Sequence, residues 1–147
     1  MTSKNELQNA LKEAIRKNDS IRKGTLRMAL TSIRMAEDRK RDELDDDEVI
    51  GVLQKEIKSR QETVEDAQKA NRPELAEEAR AQIVILEEFL PKQMTQEELE
   101  ELARQAIEQV GAESPREMGQ VMKVLVPLLK GRATGQEASQ VVRRLLQ

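Results

Sequence analysis

The 147-residue sequence predicts an all-α protein. Its composition is rich in Leu, Ala, Glu, Gln, Lys and Arg, which are good helix formers. Its apolar residues recur at three- and four-residue spacing, and no segment alternates in the way a strand requires. We therefore expect an elongated amino-terminal helical domain with a long antiparallel hairpin, residues 1–91, followed by a small three-helix bundle, residues 92–147.

Short polar motifs predict where the helices begin. In a capping box, a hydroxyl accepts a hydrogen bond from the third helical amide while a carboxylate reaches back to the cap. The acidic run at residues 45–48 and Pro73 predict two further starts, because acids and proline suit the first turn of a helix. The predicted capping boxes pair Ser3 with Glu6, Thr95 with Glu98, Ser114 with Glu117, and Thr134 with Glu137.

Seven apolar stripes of helical period follow these starts. They occupy residues 7–14, 26–36, 49–67, 79–90, 99–110, 118–125 and 138–145. The third helix, residues 46–70, should be about 37 Å long at 1.5 Å per residue and should fold back on the fourth. Arg60 and Gln61 interrupt its apolar stripe halfway, so we expect the tip beyond them to be thinly packed and mobile. Pro91 ends the fourth helix and marks the domain boundary.

Two residues disturb the sixth helix. Pro127 should kink it or end it early, because proline lacks an amide and clashes with the preceding turn. Gly119 is unfavourable in a helix unless backbone must pass close by, which predicts either a close helix crossing or the approach of a ligand.

Composition excludes most catalytic classes. The chain has 0 Cys and 0 His, so it lacks a thiolate nucleophile, an imidazole base, disulfides and a Cys/His zinc site. Its one aromatic residue, Phe89, is too little to stack bases. The acidic run at 45–48 is explained by helix capping, and the paired glutamates lie on polar faces, so we expect no metal, no cofactor and no catalytic residue.

Charge is distributed unevenly along the chain. The formal net charge is −3 overall, and the middle of the chain is acidic whereas both ends are basic. The basic carboxy-terminal third is therefore the part that we expect to meet a phosphate backbone.

The segment at residues 130–135 is the strongest candidate site. Lys130 and Arg132 flank Gly131 ahead of a helix start that includes Gly135, which suits an anion. The alternative is a plain turn, with Gly131 closing one helix and Thr134 capping the next. Cations nearby in sequence extend the candidate RNA-binding set, which comprises Lys123, Lys130, Gly131, Arg132, Gly135, Arg143 and Arg144.

The second helix carries a basic stripe of Lys23, Arg27, Arg34 and Arg41 beside its apolar stripe. These side chains either drape over the edge of the core or follow a nucleic-acid backbone.

No apolar run approaches the roughly 18 residues that a membrane span requires, and the amino terminus has no signal-peptide pattern. We therefore expect a cytoplasmic protein without a membrane partner. The sequence leaves the oligomeric state open.

The carboxy-terminal motifs resemble a known family. Residues 118–123, Pro127, residues 130–135 and the pair Val141 and Val142 resemble the YqeY family (GatB/YqeY) and the tail domain of GatB. GatB is the tRNA-handling subunit of the glutamine-dependent aspartyl/glutamyl-tRNA amidotransferase. Upstream, residues 26–28, 52–58 and 89–93 are similar to YqeY itself, so the resemblance covers the whole chain.

The resemblance implies an all-helical protein whose GatB-tail-like domain, residues 92–147, contacts tRNA or a tRNA-handling enzyme without catalysing a reaction. A helical protein-interaction module without nucleic-acid binding is the alternative. The family label also suggests carbon-nitrogen ligase activity, related to the amidotransferase, but the residues supply no nucleophile or phosphate-activating site.

Overall fold

The computed structural model describes residues 3–147 and confirms the all-α prediction. Its described part contains seven α-helices, a short 3-10 helix at Pro115–Glu117 and no strand. The α-helices are α1 Lys4–Arg16, α2 Ser20–Lys40, α3 Asp46–Lys69, α4 Pro73–Glu87, α5 Gln96–Val110, α6 Met118–Leu129 and α7 Gly135–Leu146.

The chain divides into two compact units, one ending at Pro91 and the other beginning at Lys92. Aliphatic side chains from α1 to α4 form the core of the first unit, with Leu7, Leu26 and Leu53 fully buried. In the second unit, α5, α6 and α7 pack against one another around Val121 and Leu125. We call these the amino-terminal unit and the carboxy-terminal unit.

Most predicted helix starts have the expected caps. Asp45 with Glu48 and Thr95 with Glu98 form complete capping boxes. The Ser3 hydroxyl accepts from the Glu6 amide and the Thr134 hydroxyl accepts from the Glu137 amide, at 3.2 and 3.1 Å. These starts were predictable because each cap lies within three residues of its partner.

The predicted capping box at Ser114 is wrong. The Ser114 side chain makes no cap hydrogen bond, because the Glu117 amide donates to the Ser114 carbonyl at 3.1 Å in the 3-10 helix. The Glu117 carboxylate instead accepts from the Glu113 amide at 2.6 Å.

In the amino-terminal unit, α3 runs antiparallel to both α2 and α4. Contacts that join Lys40 to Glu48 and Ser32 to Glu56 move backward along α2 as they move forward along α3. The α3–α4 turn is short, with Asn71 in the left-handed region at φ 56°. Helix α3 therefore has a neighbour on two sides.

Arg60, which interrupts the apolar stripe of α3, is buried at 6% exposure. Its guanidinium donates to the Gln82 side chain at 3.0 Å and to the Glu56 carboxylate at 2.6 Å, and lies 3.7 Å from the Met28 sulfur. The Ser32 hydroxyl donates to the same Glu56 carboxylate at 2.6 Å. The arginine thus joins three helices through satisfied polar contacts. Beyond Arg60, the residues of the α3–α4 hairpin that are buried near its turn are alanines, namely Ala67, Ala76 and Ala79.

Two carboxylates hold the connection between α2 and α3. Glu37 accepts from Lys4 at 3.0 Å and from the Leu44 amide at 3.1 Å. Glu48 accepts from Lys40 at 2.6 Å and from the Asp45 amide at 3.1 Å. Hydrogen bonds from Lys4 and Lys40, respectively, lower the pKa of Glu37 and of Glu48 below the ordinary value of 4.5.

Helix α6 continues through Pro127 and ends two residues later, so the expected early end does not occur. At Gly119, an added Cβ would meet nothing within 4 Å. The expectation of a close helix crossing at this glycine is therefore wrong.

We predict that Arg60→Ala lowers the free energy of unfolding by about 2–4 kcal/mol, because it leaves Glu56 and Gln82 without their buried partner. Thermal and urea unfolding followed by circular dichroism measure this change. Arg80→Ala is the matched control, since its exposed pair with Glu77 is worth at most about 1 kcal/mol. Equal losses in the two variants would contradict the structural role of Arg60.

We also predict that the contribution of Glu37 to stability depends on pH. Because folding lowers its pKa, the contribution is complete above pH 4.5 and is lost as the pH falls through the lower folded value. The unfolding temperatures of the wild type and Glu37→Gln should differ at pH 7 and converge as the pH falls below the folded pKa of Glu37. Glu62→Gln, at an exposed site, should track the wild type throughout. A wild-type advantage that persists at low pH would refute this assignment.

Candidate functional site

The candidate segment forms the turn between α6 and α7. Lys130 and Gly131 both occupy the left-handed region, at φ 48° and 77°, and the Arg132 amide donates to the Leu129 carbonyl at 2.8 Å. Ala133 is buried, and Thr134 caps α7. The structure thus shows the features of the plain-turn alternative, a glycine after the helix end and a threonine cap.

Arg132 ties this turn to the start of α5. Its Nε donates to the Lys92 carbonyl and its Nη2 to the Glu98 carboxylate, each at 2.9 Å. Its backbone carbonyl accepts from the Met94 amide at 2.8 Å. Arg132 is therefore engaged on both its side chain and its backbone, and its charge is compensated by Glu98.

Arg144 is engaged in the same way. Its guanidinium donates to the Glu100 carboxylate of α5, which also lies 3.7 Å from Arg104. The hydrogen bond from Arg144 is the main reason that the pKa of Glu100 falls below its usual value. Two of the predicted cations therefore attach the α6–α7 turn and α7 to α5.

The three remaining cations, Lys123, Lys130 and Arg143, are exposed and form no ion pair within residues 3–147. Lys123 and Lys130 are seven residues apart and lie on one side of α6 and its cap. Arg143 is one position from Arg144, which turns its side chain about 100° away from that of its neighbour on α7. The structure thus separates the predicted cations into an engaged pair and a free set.

Lys123 and Lys130 belong to an outward face of α6 that carries no carboxylate. Its helical members are exposed, whereas Val121, Leu125 and Leu129 on the opposite side are buried. We call this surface the α6 face; it consists of Gly119, Gln120, Lys123, Val126, Pro127 and the cap residue Lys130.

The two glycines of the predicted set have different roles. Gly131 adopts a left-handed conformation that a side chain would strain. Gly135 begins α7, and an added Cβ there would meet nothing within 4 Å. Only Gly131 is required by the backbone of the turn.

The side of the turn that faces α5 is acidic. A surface depression there is lined by Met94, Leu102 and Arg132 together with three glutamates, Glu97, Glu98 and Glu101. Carboxylates on its rim repel a phosphate, so this side of the turn does not suit an anion.

The carboxylates whose pKa is clearly shifted do not have the property that a general acid needs. The pKa of Glu13, like those of Glu37, Glu48 and Glu100, is lowered by a neighbouring cation, the opposite of the shift that a general acid needs. Residues 3–147 contain no cluster of three metal-ligating side chains, and none of their helices has the length and apolar character of a membrane span.

Sequence reasoning missed one surface feature. Ile21, Met28 and Met35 are half exposed along α2 and share one side of it. Their seven-residue spacing in the sequence could have identified this stripe. It was missed because the search for buried stripes used the three- and four-residue pattern, to which these three residues do not belong.

The chain matches the family described as Yqey-like protein over residues 4–146. It belongs to the YqeY family. It is also 30% identical over 133 residues to Altered inheritance of mitochondria protein 41, mitochondrial, of Pyrenophora tritici-repentis, across 89% of this chain and 73% of that protein. A further YqeY relative, an uncharacterized protein of Schizosaccharomyces pombe, is 38% identical over 68 residues, which cover 46% of this chain and 55% of that protein. Neither name describes a catalytic activity.

We predict that Arg132→Ala in this YqeY-family chain lowers the free energy of unfolding by about 1–2 kcal/mol. The substitution removes the hydrogen bonds by which the α6–α7 turn is joined to the Lys92 carbonyl and to Glu98 of α5. Hydrogen exchange at the Met94 amide should also accelerate. Arg143→Ala, which removes a cation without an ion pair, should leave both measurements unchanged. If the two variants unfold alike, Arg132 does not hold this turn to α5.

Proposed function

We propose that this YqeY-family protein is a non-catalytic adaptor that binds tRNA, or a tRNA-bound enzyme, through its carboxy-terminal unit. The observation that carries the proposal is the α6 face, on which Lys123 and Lys130 stand without a carboxylate partner. Arg143 of α7 adds a third uncompensated cation. Exposed cations without a carboxylate partner can contact backbone phosphates without requiring base-specific geometry.

The similarity of this segment to the GatB tail supports tRNA as the ligand. In this proposal Arg132 and Arg144 hold the three helices together, and Gly131 shapes the turn that carries Lys130. Gly135 lies at the amino-terminal end of α7, where the helix dipole favours an anion. The contacts of all seven predicted residues with RNA remain predictions.

The proposal requires neither a cofactor nor a metal, and it treats residues 1–91 and 92–147 as separate domains. Cytoplasmic location stays part of the proposal. The Pyrenophora relative has a mitochondrial name, so fractionation of cells that express the tagged protein is the direct test of location.

We predict that bulk tRNA binds the full chain with a salt slope of about −2 to −3, as expected for three phosphate contacts. Fluorescence anisotropy with labelled tRNA across a salt series measures the slope. Lys123→Ala/Lys130→Ala should weaken binding at low salt and reduce the slope by about 1.5, since two contacts are lost.

Lys55→Ala/Lys58→Ala is the matched control, because both lysines are exposed on α3 of the other unit. It should bind tRNA as the wild type does. Absence of tRNA binding at tens of micromolar, or equal binding by the two double variants, would show that the α6 face is not an RNA surface.

A further inference from the structure

Helix α2 carries an exposed apolar stripe. Ile21 is 48% exposed, and Met28 and Met35 are each 54% exposed. Their seven-residue spacing keeps them on one side of the helix over about 21 Å, or four turns. Burying these side chains is favourable, so a repeated stripe of this kind marks a surface that a partner can cover.

Cations line the other edge of the same helix. Lys23, Arg27 and Arg34 recur on one side, Arg41 follows at the end of the helix, and none of the four forms an ion pair within residues 3–147. Arg34 helps to lower the pKa of Glu37, whose carboxylate is bound by Lys4. The cations of the basic edge are thus not paired with a carboxylate of residues 3–147, although the exposed Asp38 follows Arg34 by four residues on the same helix.

The apolar stripe and the basic stripe lie on either side of the outward face of α2. Leu26, Ala29 and Ile33 on its inner face are buried against the core. On a helical projection the apolar and basic stripes are separated by about 100–120°, the width that one packed helix covers. We call the surface formed by Ile21, Met28, Met35, Lys23, Arg27 and Arg34 the α2 face.

We propose that the α2 face binds an acidic amphipathic helix of a partner protein, about four turns long. An apolar side of that helix covers Ile21 and the two methionines, while its glutamates or aspartates pair with the basic edge. Methionine suits such a contact because its flexible side chain adapts to the shape of a bound helix.

Charge and apolarity together favour a helix over a nucleic-acid backbone. Phosphates satisfy the arginines but leave the methionines exposed, whereas an acidic helix satisfies both stripes. The core also helps to position one of the two methionines, because the Met28 sulfur lies 3.7 Å from the buried guanidinium of Arg60. This surface lies in the amino-terminal unit, so its test is independent of the tRNA proposal.

The test uses the full chain and a labelled synthetic helix of about 18 residues, with leucine at positions a and d and glutamate at the flanking positions. We expect this peptide to bind in the micromolar range by fluorescence anisotropy. A peptide with serine for leucine, and one with lysine for glutamate, should each bind at least about tenfold more weakly.

Substitutions in the protein should give the same result. Met28→Ser/Met35→Ser should weaken binding of the acidic peptide at least about tenfold, whereas Val84→Ser should not, although Val84 is 63% exposed on α4. Arg27→Gln/Arg34→Gln should weaken it by a similar factor and flatten its salt dependence. Lys12→Gln/Lys58→Gln, exposed lysines elsewhere in this unit, should have no effect. Circular dichroism verifies that each variant is folded.

Three outcomes would overturn the proposal. The first is absence of peptide binding to a folded wild type. The second is equal binding of the acidic and lysine-substituted peptides, which would indicate nonspecific apolar contact. The third is loss of tRNA binding in Arg27→Gln/Arg34→Gln with no effect of the methionine substitutions, which would make the α2 face an RNA surface.

Discussion

Ion pairs between helices determine which charges of this protein can reach a ligand. An arginine that is paired with a carboxylate uses its N–H donors within the fold, and the pair presents little net charge to solvent. Arg132 with Glu98 attaches the α6–α7 turn to α5, and Arg144 with Glu100 attaches α7 to α5. Glu97, Glu98 and Glu101 of α5 line one side of the α6–α7 turn, whereas Lys123 and Lys130 on the α6 face form no ion pair within residues 3–147.

Much of the fold was readable from the sequence because its signals are local. Apolar spacing gave seven helices, and caps at Asp45 and Thr95 satisfy amides only three residues away. The prediction failed at Ser114, where a backbone carbonyl took the amide that the side chain was expected to cap. Local motifs therefore predict a helix start reliably only when no backbone group competes for the same donor.

The candidate site was less readable because its decisive contacts are distant in sequence. Arg132 meets a carbonyl 40 residues away, and Arg144 meets Glu100 across 44 residues. From spacing alone, each basic residue of the carboxy-terminal third was an equally good candidate for binding an anion. The seven-residue spacing of Lys123 and Lys130 and the roughly 100° step between Arg143 and Arg144 were signals that the sequence prediction did not use. What spacing lacks is the identity of the acid on the facing helix, which decides whether a cation is bound or free.

The two cationic surfaces differ in what they are able to distinguish. Lysines contact phosphate as point charges, and the α6 face has neither an aromatic ring nor an unpaired arginine fork with which to read a base. The one aromatic ring of the chain, Phe89, lies 5.6 Å from the Arg22 guanidinium in the other unit. An RNA bound to the α6 face would therefore be recognised by backbone and shape rather than by sequence. The α2 face combines charge with a fixed apolar spacing, which discriminates between partners more sharply than charge alone. In the adaptor that we propose, selectivity would come from the protein bound at the α2 face, and the carboxy-terminal unit would supply affinity for the nucleic acid.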